Sequence, residues 1–186
     1  MVLAELEMTR THSVDFDEWV NTPENQQRHF ELFDGEIIEK MVSGPESSRL
    51  SLLLLLQLGA YVYAKNLGQM TGADGGYQIG DNRFIPDGAF LSHEKWQAPV
   101  VAGYRAVAPD LVIESISPTD RTSDVINKVN AYVKAGTAVW LADERYQSVT
   151  VYAPNVNPKT YEKNQTLEGG ALLPEFKLDL AIVFGV

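Results

Sequence analysis

From Pro109 to Pro118 the chain reads Pro-Asp-Leu-Val-Ile-Glu-Ser-Ile-Ser-Pro, a core strand with acids set into it. Side chains alternate faces along a strand, so Leu111, Ile113 and Ser115 point one way and Asp110, Val112, Glu114 and Ile116 the other. Glu114 therefore interrupts an otherwise apolar face. An isolated carboxylate there is expensive unless positive charge neutralises it, and a divalent cation is the obvious candidate. A helical stretch carrying Lys128 follows directly. A strand that keeps such charges is expected to keep them for chemistry.

The bulk of the chain suits a closed core. Its 186 residues, 45% hydrophobic and 10% aromatic, predict a single globular domain spanning 1–186. The apolar stretch from Ser51 to Ala64, centred on Leu52-Leu53-Leu54-Leu55-Leu56, is flanked by Arg49 and Lys65. It falls short of the roughly 20 residues that cross a bilayer and reads as a buried helix. Glu5, Glu7 and Arg10 stand where a secretory signal needs an apolar run, which leaves the cytoplasm as the default location and no membrane partner. With no cysteine, disulfides, thiolate ligands and a cysteine nucleophile are excluded. Carboxylates, three histidines and backbone oxygens remain as metal ligands. The balance of 15 basic and 25 acidic residues, net −10, argues against generic affinity for nucleic acid. A loaded cation site reverses that potential locally.

Local patterns place the elements. Phe16, Trp19 and Val20 share a helical face behind the caps Ser13 or Asp15, and Pro23 stops that peripheral helix. His29 to Lys40 reads as a hairpin turning at Asp34-Gly35, and Ser47 or Ser48 opens the leucine-rich helix to about Lys65. A second hairpin has Tyr77 and Ile79 on one arm and Arg83 to Leu91 on the other, followed by a polar loop from Ser92 to Ala108. After the acidic strand, Thr119 or Asp120 starts a helix that Gly136 ends, with Val125, Val129, Tyr132 and Val133 on its inward stripe. Strands follow at Ala138 to Asp143 and Ser148 to Ala153, with a weaker one near Thr160 to Glu162. Strand, helix and strand from Leu111 to Asp143 form one crossover unit. The fold class is α/β, helices flanking a mixed central β-sheet.

Several segments act together as a signature: Phe30-Glu31-Leu32-Phe33-Asp34-Gly35-Glu36-Ile37-Ile38-Glu39, Pro86-Asp87, Pro109 to Glu114 with Ser117-Pro118, and Lys128 with Tyr132, Gly136 and Trp140. Nearly end to end the chain resembles the Uma2 family, also called DUF820, which is similar to the PD-(D/E)XK nucleases. The resemblance implies a restriction-endonuclease-like core and hydrolysis of phosphodiester bonds. It implies Asp87 and Glu114 as metal ligands, Glu36 as a more distant acid, and Lys128 as the lysine at the attacking water. Two positions depart from the wider pattern. Ile116 stands where the superfamily has its lysine, so Lys128 corresponds to a lysine migrated to the next helix, and the histidine many relatives carry before the long helix is replaced around Ser47 and Ser48.

Such a site calls for a hard cation, Mg²⁺ with Mn²⁺ as substitute, bound by oxygen ligands. The expected function is a metal-dependent nuclease acting on DNA as a homodimer; the alternative is a catalytically silent binding module of the same fold. Each residue also has a plain structural reading. Asp87 after Pro86 suits a turn, Glu114 and Lys128 suit an ion pair, Glu36 an exposed hairpin position, and Tyr132 the core. Asp110 reads either as a supporting acid or as a strand-entry residue. A glycosidase pairing Asp110 with Glu114 is disfavoured, because four strand positions separate them by roughly 13 Å. His12, His29 and His93 show no ligand spacing.

Overall fold

A computed structural model describes residues 13–117 and 120–185; the helix-start candidate Thr119 and its neighbour Pro118 lie outside them. Helix α1 (Ser13–Trp19) leads into the hairpin β1 (Phe30–Phe33) and β2 (Glu36–Glu39). Its turn residues Asp34 and Gly35 adopt φ of 50° and 84°, the left-handed pair that a two-residue hairpin turn requires. Helix α2 (Pro45–Ala64) starts before the two serines, with Pro45 in its first turn, where its missing N–H costs nothing. Only one stripe of the leucine run is enclosed: Leu50, Leu54, Leu58 and Val62 are fully buried, whereas Leu52 and Leu56 are more than half exposed. Among the described residues no helix is long and apolar enough to cross a membrane.

Strands β3 (Gly68–Thr71), β4 (Gly76–Ile79), β5 (Asn82–Phe84) and β6 (Gly88–Ser92) follow. The sequence predicts one continuous arm from Arg83 to Leu91; the structure corrects this, because the chain changes sheets at Ile85-Pro86-Asp87. Proline has no N–H for a ladder, and the strand breaks there. The polar stretch after Ser92 is structured rather than a plain loop. It forms α3 (His93–Trp96), β7 (Val100–Val101) and β8 (Tyr104–Arg105). Arg105 fastens it, donating at 2.6 Å to the carbonyls of Trp96 and Ala98 and stacking over the Trp96 ring.

The crossover forms as expected, except that the helix opens at Thr122 behind Arg121 rather than at Asp120: β9 (Leu111–Ser115), α4 (Thr122–Lys134) and β10 (Ala138–Asp143) form a parallel unit with Ala138 opposite Leu111. Gly136, at φ 88°, reverses the chain after α4. Strands β11 (Ser148–Ala153) and β12 (Val156–Glu162) extend the sheet antiparallel, and β13 (Thr166–Glu168), β14 (Lys177–Asp179) and α5 (Ala181–Phe184) close the chain. The central sheet is mixed, ordered β12-β11-β10-β9-β6-β3, and a second six-stranded sheet is ordered β2-β1-β5-β4-β8-β7.

The alternation along β9 divides the core. Leu111 and Ile113 pack with Trp140 against the buried stripe of α2, whereas Val112 packs with Val139, Leu141, the α4 residues Val129 and Tyr132, and Tyr77, Ile79 and Phe84 of the second sheet. Each large side chain so enclosed contributes about 1.5–3 kcal/mol of burial. Helix α1 turns its predicted apolar face inward and supplies Phe16 to a third cluster with Phe30, Leu32, Ile85 and Tyr104. These layers hold the end of β9 between α2, α4 and the second sheet.

Two glycines set the approach of β6 to its neighbours. A Cβ on Gly68 would lie 1.9 Å from the Leu91 carbonyl oxygen, which backbone pairing holds in place. On Gly88 it would meet the Leu55 side chain at 2.4 Å, a group able to move. We expect Gly68→Ala to cost about 3 kcal/mol and Gly88→Ala about 1 kcal/mol, an order that urea unfolding of the two variants measures.

Candidate active site

The register Gly88 opposite Ile113 carries Asp87 alongside Glu114 where the two strands end. Asp87 Oδ2 accepts the Ser115 N–H at 3.0 Å and lies 3.2 Å from Ser51 Oγ on α2. Ser51 Oγ and Ser115 Oγ are 2.7 Å apart, so the two hydroxyls and the carboxylate share one network. The other oxygen, Asp87 Oδ1, faces the Lys40 ammonium at 3.3 Å.

Glu114 leaves β9 on the opposite face, toward α4. Its Oε1 accepts the Tyr132 hydroxyl at 3.0 Å and the Lys128 ammonium at 2.9 Å. Lys128 and Tyr132 are four apart on α4, the spacing that puts two side chains on one helix face. The same ammonium lies 2.9 Å from Glu31 Oε1 of β1, and that oxygen also accepts the Ile85 N–H at 2.6 Å. Lys128 thus joins an acid from each large sheet, with the Phe84 ring 5.5 Å away. Glu31, Phe84, Glu114 and Lys128 line a cleft of about 370 Å³ with Arg121 and Asp124 at the start of α4.

Burial pushes the Glu114 carboxyl up; Lys128 opposes that shift, and the nearby charges of Asp87 and Glu31 reinforce it. For Lys128, burial works against the ammonium, but Glu114 and Glu31 outweigh it and hold its pKa above the usual lysine range. Tyr132 is raised well above the ordinary phenol by burial and then by Glu114, so it stays a donor.

The donor set suits a hard cation. Glu114 Oε2 has no hydrogen-bond partner among the described residues, and Asp87 Oδ1 is held only by an ammonium, itself a cation standing at a carboxylate. Among those residues no three His, Asp or Glu side chains form a complete cage. Mg²⁺ needs none, since one or two carboxylates commonly suffice and water or phosphate fills the rest.

Asp87 and Glu114 thus stand at adjacent strand ends, Glu114 with Lys128 in the cleft and Asp87 turned to Ser51, Ser115 and Lys40, whereas Glu36 and Asp110 lie elsewhere. Glu36 is exposed at the turn end of β2, opposite Phe33. Asp110 lies before the other end of β9, where it accepts the Ser92 N–H at 2.7 Å and pairs with Lys95 at 3.0 Å, fastening β6 and α3. Glu31, Lys40, Ser51 and Ser115 enter the cluster without having been singled out. Of these only Glu31 left a trace in sequence, as an acid between the buried Phe30 and Leu32. Tyr132 is fully buried, as its core reading expects, and is also bonded to Glu114.

The family model for Uma2, described as "Putative restriction endonuclease", matches residues 14–181. The crystal structure of "a putative nuclease belonging to DUF820" from Anabaena variabilis ATCC 29413 superposes with a TM-score of 0.80 at 21% identity. The match covers 94% of this chain and 97% of that one. No curated protein matches the chain.

Removing the cation between Glu31 and Glu114 leaves two confined carboxylates facing each other. Lys128→Met is expected to lose about 3 kcal/mol of stability at neutral pH. A raised carboxyl favours the fold in its protonated form, so stability is regained as pH falls through the Glu114 pKa toward the ordinary carboxyl value. Urea unfolding of wild type and variant at pH 7.5 and 5.5 should show the deficit shrinking in acid.

Proposed function

The chain belongs to the Uma2 family, and from that premise we propose that it is a metal-dependent nuclease hydrolysing phosphodiester bonds in DNA. The observation that carries this reading is the helix-borne Lys128 ammonium 2.9 Å from Glu114, at the strand ends where Asp87 also lies. It answers the absence of a lysine at position 116 by bringing the amine back along α4.

Asp87 and Glu114 would hold Mg²⁺, or Mn²⁺ in its place. When bound, the ion supplies positive charge at the phosphate and lowers the pKa of a water. The remaining roles fall to the chain. Lys128, whose ammonium its two acids favour, donates a hydrogen bond and offsets charge that grows on the phosphoryl oxygens. Glu31 and Tyr132 fix the direction of that amine and of Glu114. The net charge of −10 works against a long nucleic-acid footprint, so recognition is local, with the exposed Arg121 at the cleft available for a neighbouring phosphate. Cutting both strands of a duplex calls for two such clefts, which is the ground for expecting a homodimer.

With plasmid DNA and Mg²⁺ or Mn²⁺, wild type should cleave, chelation should abolish the reaction, and Asp87→Ala, Glu114→Ala and Lys128→Ala should each fall by at least about a hundredfold. Cleavage should also decline in acid, because a raised Glu114 is protonated early and a protonated ligand releases its ion. Equal cleavage by all four proteins would identify a contaminant. Sedimentation equilibrium should return the mass of two chains; one chain's mass would refute the dimer.

A further inference from the structure

Lys128 accounts for two of the three clustered acids; the third has its own cation. Lys40 follows β2, and its N–H extends the hairpin by bonding the His29 carbonyl at 2.9 Å. Its side chain then crosses to the sheet-changing segment, where the ammonium lies 2.6 Å from the Ile85 carbonyl oxygen and 3.3 Å from Asp87 Oδ1. This is a confined pair, the lysine side chain 20% exposed and the aspartate 13%. The Asp87 oxygen it occupies is the one that Ser115 and Ser51 leave free.

The charges of the cluster point the same way. Glu31, Asp87 and Glu114 against Lys40 and Lys128 leave one net negative charge; without Lys40 there would be two, matching a divalent ion. Nearby like charges repel strongly in such a partly desolvated place. Lys40 also has somewhere to remain once released from Asp87, since the Ile85 carbonyl anchors it independently.

Resting on Asp87 as a cation ligand, we propose that Lys40 is a positioning residue that holds Asp87 Oδ1 in the metal-free protein and yields it to the incoming divalent ion. By doing so it sets the affinity of the site for that ion. A charge-neutral residue at position 40 makes the site bind tighter, even though the empty protein becomes less stable. A purely structural Lys40 would give the reverse pairing, with stability and affinity falling together.

The test uses the full chain without nucleic acid, titrated with Mn²⁺ by calorimetry and followed by thermal melting. Lys40→Gln keeps a hydrogen-bond donor for Ile85 and removes the charge; Lys40→Met removes both; Lys40→Arg keeps the charge. We expect both neutral variants to bind Mn²⁺ about tenfold or more tighter than wild type, with a lower melting temperature when empty and a larger rise on adding Mn²⁺. Lys40→Arg should retain wild-type affinity, and Asp87→Asn should abolish binding in every background. Binding by a neutral variant where wild type shows none would support the same conclusion. Equal or weaker binding by Lys40→Gln, with Asp87→Asn still abolishing wild-type binding, would overturn the role of Lys40 and leave Asp87 as a ligand. No Mn²⁺ binding by wild type or either neutral variant would overturn both.

Discussion

The Lys128 ammonium, placed 2.9 Å from a carboxylate of each large sheet, is the contact on which the site depends. Glu31 belongs to the outer sheet and Glu114 to the central one, and without a cation between them two like charges would face each other in a place that water reaches poorly. A pair of this kind contributes little net stability compared with apolar packing, but it is intolerant of losing one member. It therefore determines arrangement more than strength. It turns α4 so that Lys128 and Tyr132 meet Glu114, and it sets β1 at the distance where Glu31 can also take the Ile85 N–H.

Ile85-Pro86-Asp87 is the second constraint, because at this point the chain leaves one sheet for the other. A strand break inside a protein exposes backbone groups that need partners. Here the Ile85 N–H goes to Glu31 and the Ile85 carbonyl to Lys40, so the residues that satisfy the break are members of the charged cluster. The break also starts β6 beside the end of β9, which puts Asp87 next to Glu114. Architecture and candidate chemistry thus share the same few side chains, and the family's restriction-endonuclease description is consistent with acids presented in this way.

Legibility differed from element to element for identifiable reasons. Strands Ala138–Asp143 and Ser148–Ala153 were readable to the residue, since short apolar runs bounded by turns leave few alternatives. Asp34-Gly35 was equally plain, because few pairs tolerate positive φ at both turn positions. The Arg83 to Leu91 arm misled because its composition suits a strand on both sides of Pro86, and only the pairing partners reveal two sheets. The five-leucine run reads as a buried helix without saying which of its faces is enclosed; a helix lying on a sheet encloses a single stripe, and Leu52 and Leu56 fall outside it.

For the site, the residue string alone yields one acid, Glu114, on the apolar face of β9; the roles of Asp87 after Pro86 and of Lys128 on the following helix come from the resemblance to the Uma2 pattern. Glu114 follows from a short-range rule, alternation along a strand. Glu31 and Lys40 escape such rules because their partners lie far along the chain, 97 residues from Glu31 to Lys128 and 47 from Lys40 to Asp87. Which charges meet is decided by how two sheets and a helix pack, and packing is a property of the assembled core. The exclusion of Asp110 and Glu36 has the same origin: an acid at the wrong end of its strand finds a local lysine, or water, instead.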